Sequence, residues 1–178
     1  MASSNLKKVK EAFSGLSERE LSALIGEVYN FSKDMKLFLE NRLLGIETKA
    51  YFEELEAITY ERFGAIPPKW VEARKVNAVI SKAKKAKVGD FELFKLHMYV
   101  FEAYVVWIDM YGMSDEAVEN KCAMHLEKAL ELLEKLPNIS HNKKEQYYRG
   151  MVDIIDGHVN MYRDGLYEIL DDFELSSL

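Results

Sequence analysis

The sequence predicts an all-α fold of about seven to eight helices, arranged as stacked antiparallel hairpins or an irregular bundle. Three observations lead there. Apolar residues recur at helical spacing from end to end, with little of the two-residue alternation of strands. Caps and stops punctuate the chain at regular intervals. The connections between them are short, which favours antiparallel neighbours. No strict internal repeat is present, so a solenoid is the weaker reading. At 178 residues the chain suits a single helical domain, 1–178, with shorter helices over 1–64, longer ones over 68–173 and a loose tail at 174–178.

Taken in order, Ser17 and Glu20 form a capping box, in which the serine accepts from the N3 amide and the glutamate reaches back. Leu21, Leu24, Ile25 and Val28 follow at helical spacing. A helix is expected over 33–44, ended by Gly45 in a left-handed conformation. Another runs over 47–63 and stops at Gly64. Pro68 is suited to the first position of the next, because its missing N–H would have had no partner there. That helix, 68–87, turns Val76, Val79, Ile80 and Ala83 to one side and Arg74, Lys75, Lys82, Lys84 and Lys85 to the other.

Gly89 and Asp90 break the chain and offer a cap. Residues 91–111 are apolar nearly all round, save for one narrow stripe of Glu92, Lys95, Glu102 and Asp109. Such a helix is central to a core or is half of an interface. Gly112 ends it, and Ser114, Asp115 and Glu116 supply a cap and an acidic first turn. Over 115–136, Val118, Cys122, Leu126, Ala129, Leu133 and Leu136 face inward. Pro137 stops this helix, and Ser140 caps a long last one reaching Phe173. Gly150, Gly157 and Gly165 lie within it and each disfavours helix by roughly 1 kcal/mol, so a bend or break is open.

Composition narrows the function classes. An apolar fraction of 48% excludes a disordered chain, and 24 basic against 30 acidic residues give a net charge of −6, with no overall bias toward nucleic acid. A single cysteine excludes an internal disulfide framework and fits a reducing compartment. Glu11, Glu18, Arg19 and Glu20 interrupt any apolar run after the N-terminal lysines, so secretion is not expected. No membrane span is expected either, and the expected location is the cytoplasm. There is no P-loop, dinucleotide-binding glycine triplet, nucleophile elbow or zinc-protease helix motif. None of His97, His125, His141 and His158 has a glutamate three residues before it, as a di-iron bundle requires. No catalytic residue and no cofactor is therefore assigned.

Four constellations remain. Cys122 and His125 share a helical face, but that face is apolar, which makes a buried thiol beside a core histidine the simpler reading. The last helix carries an acidic stripe with Asp153, Asp156 and Asp164. From Glu145 onward the chain holds eight acidic and two basic residues. Asp153, Asp156, His158 and Asp164 are the candidate metal ligands, although a solvated face is the plainer alternative. The helix over 68–87 has seven Lys or Arg against Glu72 alone. Its residues Arg74, Lys75, Lys82, Lys84 and Lys85 are candidates to contact an acidic protein partner, with nucleic acid behind that. Finally, Tyr99, Tyr104, Trp107 and Tyr111 mark the 91–111 helix as a candidate homodimer interface, since Tyr and Trp combine contact area with a polar tip.

From Ala73-Arg74-Lys75 onward, the aromatic helix ending in Tyr111-Gly112, the run Glu127-Lys128-Ala129-Leu130-Glu131-Leu132 and the terminal Gly157-His158 pair resemble a bacterial family, domain of unknown function 6155. The segment from Leu16-Ser17 to Leu39 resembles its opening helices. Where aromatic residues would flank the Gly-His pair, this chain has Asp156-Gly157-His158-Val159-Asn160. The resemblance implies a compact, bacterial, all-helical protein and no particular reaction. The expectation is a non-enzymatic interaction, adaptor or regulatory protein. A metal-binding or hydrolytic protein built on the last helix is the alternative, and nucleic-acid binding through 68–87 is the second.

Overall fold

A computed structural model of the chain describes residues 2–44, 48–59, 71–112, 115–137, 139–158 and 162–173. Among the described residues there are nine α-helices and no strand, so the all-α expectation holds. They fall into two compact units, Met1–Ile46 and Glu47–Leu178. The expected stops at Gly45 and Gly64, the start at Pro68, the cap at Ser114 and the 174–178 tail lie outside the described residues.

The first unit holds α1 (Ala2–Ser14), α2 (Glu18–Phe31) and α3 (Lys33–Leu44). The capping box opens α2 as expected: the Ser17 amide donates to the Glu20 carboxylate at 2.8 Å, and the Glu20 amide donates to the Ser17 hydroxyl. The Ser17 hydroxyl also donates to the Glu20 carboxylate at 2.6 Å, and this bond and the Ser17 amide's hold the Glu20 carboxyl below its ordinary pKa, because they favour its charged form. α2 packs on α3, where the Tyr29 hydroxyl donates to Glu40 at 2.7 Å and Lys36 lies over the Tyr29 ring. No described side chain of this unit is buried, and Phe31 is 83% exposed.

The second unit is built around α6 (Asp90–Tyr111). α4 (Lys49–Thr59), α5 (Ala73–Lys85), α7 (Glu116–Lys135) and α8 (His141–Asp156) all pack on it, and α9 (Arg163–Asp172) packs on α7. Eleven residues of α6 are buried, which answers why its sequence is apolar nearly all round. Phe94, Leu96, Val100, Phe101, Val105 and Ile108 are buried in the core together with Val76, Val79, Ile80 and Ala83 of α5 and the inward row of α7, the helices that pack on α6. Each fully buried Leu, Val, Ile or Phe contributes about 1.5–3 kcal/mol over leaving it in water.

The ends of these helices have local causes. Asp115 caps α7 by accepting from the Val118 amide at 2.9 Å. Gly112 ends α6 in the left-handed region at φ 57°, its amide donating to the Ile108 carbonyl. α5 also ends through a left-handed residue, but this is Lys87, at φ 58°. The Val88 amide reaches the Ala83 carbonyl and the Lys87 amide reaches that of Lys84, the paired bonds of a Schellman motif. Gly89 instead takes the extended N-cap position of α6.

The segment expected as one last helix is two, α8 and α9. α8 stops at Gly157, whose amide donates to the Asp153 carbonyl, whereas Gly150 sits inside α8 without breaking it. Gly165 has a packing reason. A Cβ there would lie 2.3 Å from the Tyr162 ring, which folds over the first turn of α9. Ser140 does occupy the N-cap of α8, but its side chain makes no capping bond.

Candidate functional site

The basic face forms because α5 buries Val76, Val79, Ile80 and Ala83 at spacings of three and four, which leaves the residues between them in solvent. Arg74, Lys75, Lys84 and Lys85 are exposed as expected. The five candidates are not equivalent, however. Lys75 pairs with Glu72 at 2.9 Å, and half-buried Lys82 pairs with Glu54 of α4 at 2.8 Å. Lys82 thereby ties α5 to α4. Arg74, Lys84 and Lys85 make no ion pair among the described residues.

Between α6 and α7 lies a buried polar cluster. His97 of α6 and His125 of α7 are 3% and 1% exposed, and their Nδ1 atoms are 3.0 Å apart. Two neutral rings share such a contact when one carries its proton on Nδ1 and the other does not. Burial pushes both toward the neutral form, His97 to about 4 and His125 to about 3. At His97, Lys84 and then Lys128 push the same way while Glu131 opposes; at His125 the His97 ring does so first, followed by Lys121 and Lys84. Lys84 of α5 and Lys121 and Lys128 of α7 thus act on one histidine pair, although Lys128 is itself matched by Glu131 at 2.6 Å.

Tyr104 stacks obliquely near His125, with ring centroids 6.1 Å apart, and burial raises its hydroxyl to about 12. Cys122, one turn before His125, is fully buried, and burial pushes its thiol well above the ordinary range. A thiol held protonated and away from water is not a nucleophile. The Cys122–His125 pair is thus a core feature, as its apolar face implied.

The acidic candidates are distributed differently from a ligand set. Asp156 is engaged by Arg163 and by the Tyr167 hydroxyl, the latter at 2.7 Å. His158 Nδ1 lies 2.9 Å from an Asp109 carboxylate oxygen, joining the end of α8 to α6. Asp153 and Asp164 are exposed. Among the described residues, no group of three or more His, Cys, Asp or Glu side chains could hold a metal ion.

The aromatic candidates on α6 require a correction. Tyr104 is 2% exposed and Trp107 1%, so neither has surface to offer a second copy. The neighbours that α6 needs are supplied by the chain's own helices. Tyr99 and Tyr111 are half-buried.

No family model, no curated protein and no solved structure matches the chain. Among the described residues, no helix is long and apolar enough to cross a membrane.

Proposed function

We propose that this chain is a cytoplasmic, non-enzymatic helical interaction protein that docks an acidic protein partner on the basic face of α5. One observation carries the reading: Arg74, Lys84 and Lys85 stand exposed with no ion pair among the described residues, on a helix fixed to its neighbours by a buried apolar row. Cations already matched by neighbouring carboxylates, such as Lys75 and Lys82, add little to docking. Unmatched ones steer and orient an acidic surface. The resemblance to the bacterial family 6155 belongs to the same proposal and adds no reaction to it.

The test is affinity capture by the immobilised full chain, comparing the native protein with the Arg74→Glu/Lys84→Glu/Lys85→Glu variant. A Lys7→Glu/Lys8→Glu/Lys10→Glu variant serves as the charge-matched control. A specific acidic protein should be retained by the native chain and the control, released by moderate salt, and lost with the α5 reversal. Capture that ignores the α5 reversal would overturn the reading. Retention of nucleic acid in place of protein would move it to the phosphate-binding alternative.

A further inference from the structure

The polar stripe of α6 is unevenly satisfied. Glu92 pairs with Lys95 at 2.6 Å and accepts the Thr48 hydroxyl, and Asp109 meets His158. Glu102 makes no hydrogen bond or ion pair among the described residues, though it is only half-exposed. It lines a cavity of about 540 Å³ in the second unit, open to solvent and formed where α4, α6 and α8 meet. Phe52, Phe94, Tyr99 and Tyr147 supply much of the wall. The rings brace one another edge-on, Phe52 against Tyr99 at 5.7 Å and Phe94 against Tyr147 at 5.1 Å. A volume of this size suits a small organic molecule.

Two further facts point to an occupant and to its charge. Gly150 of α8 lines the same cavity, and a Cβ added there would meet nothing within 4 Å. Glycine inside a helix disfavours it by roughly 1 kcal/mol relative to alanine, and no packing contact demands it here. What its missing side chain provides is room in the cavity. Lys95 also lines the cavity, but its ammonium is held by Glu92 and lies 4.9 Å from the centre of the Phe91 ring. The charge left without a counterpart is the Glu102 carboxylate.

A carboxylate among aromatic rings suits a cation with an apolar body, which gains from the rings' quadrupoles and from the ion pair together. It does not suit a hard metal ion, which takes six or more oxygen ligands. We infer that this cavity is a binding site for a small organic ammonium ion, with Glu102 as its counter-ion and the Phe52, Tyr99 and Tyr147 rings as its cage. The inference is independent of the basic face of α5.

Choline and its uncharged isostere 3,3-dimethyl-1-butanol, titrated at millimolar concentrations and followed by NMR, test it. Choline should shift the resonances of Tyr99, Glu102, Tyr147 and Gly150, and the isostere should not. Glu102→Gln should weaken choline by about 10-fold or more. Gly150→Leu should abolish binding by filling the cavity while leaving the helical circular-dichroism signal intact. Equal shifts by the two compounds, unchanged affinity in Glu102→Gln, or no shifts with choline would each overturn the proposal.

Discussion

His97 and His125, 28 positions apart in sequence, meet through their Nδ1 atoms at 3.0 Å inside the core between α6 and α7. Both rings are held neutral, with values near 4 and 3 against an ordinary 6.5. The unfolded chain therefore binds protons that the folded chain refuses, starting below pH 6.5. Stability contributed by the neutral pair is fully present above that pH. It falls as the pH drops toward about 4 for His97 and about 3 for His125. Each ring adds a slope of up to about 1.4 kcal/mol per pH unit. Urea midpoints measured between pH 7 and 4 should show this loss, and the His97→Phe/His125→Phe variant should show a much flatter profile. Identical profiles for the two proteins would remove the pair as the cause.

Lys87 occupies a left-handed conformation that L-residues, unlike achiral glycine, adopt at a cost of roughly 1–2 kcal/mol. The hydrogen bond that its backbone N–H donates to the Lys84 carbonyl does not depend on its side chain. Lys87→Gly should therefore raise unfolding stability by about 1 kcal/mol with an unchanged denaturant slope. A destabilised variant would mean that the lysine side chain holds the α5–α6 turn.

Trp107 is buried rather than presented. Trp107→Ala should lower stability by about 3–5 kcal/mol through the void it leaves. Its melting temperature should not depend on protein concentration. A concentration-dependent loss, together with a change of mass in light scattering, would return this helix to an oligomer interface.

The two units should differ in local stability. None of the described side chains of α1, α2 and α3 is buried, whereas α6 and α7 bury long rows. Hydrogen exchange should accordingly be fastest in Met1–Ile46 and slowest in the middle of α6 and α7. Comparable protection across both units would show that the first is held by contacts beyond its own apolar residues.

Tight association with nucleic acid is the alternative use of the α5 lysines. The docking reading expects the chain to leave a DNA or RNA column at low salt, because Arg74, Lys84 and Lys85 offer too few phosphate contacts. Retention that declines steeply only at high salt would reverse the preference.

Much of the fold was legible in local sequence. The capping box at Ser17 and Glu20, the stop at Gly112 and the two faces of α5 depend on neighbours within one or two turns, and all stand as read. Every member of the inward row Val118, Cys122, Leu126, Ala129, Leu133 and Leu136 is buried, because helical period alone decides which residues share a face. The candidate sites were less legible. Period assigned Tyr104 and Trp107 to an apolar surface but carried no information on whether that surface met the chain's own helices or a second copy. Nor did it foretell that α8 would end at Gly157, where the helix propensity of Gly150, Gly157 and Gly165 is the same.

The sequence by itself determined that the chain is helical and which side of each helix avoids water. Tertiary structure alone decided the partners: His97 with His125, His158 with Asp109, Lys82 with Glu54. It also decided that Lys95 and Glu102 would line one cavity, with Lys95 matched by Glu92 and Glu102 matched by no charge among the described residues. The physical reason is range. Helix formation and amphipathicity are set by residues three and four apart, whereas a charge or an imidazole is matched by whatever side chain another helix brings within about 3 Å.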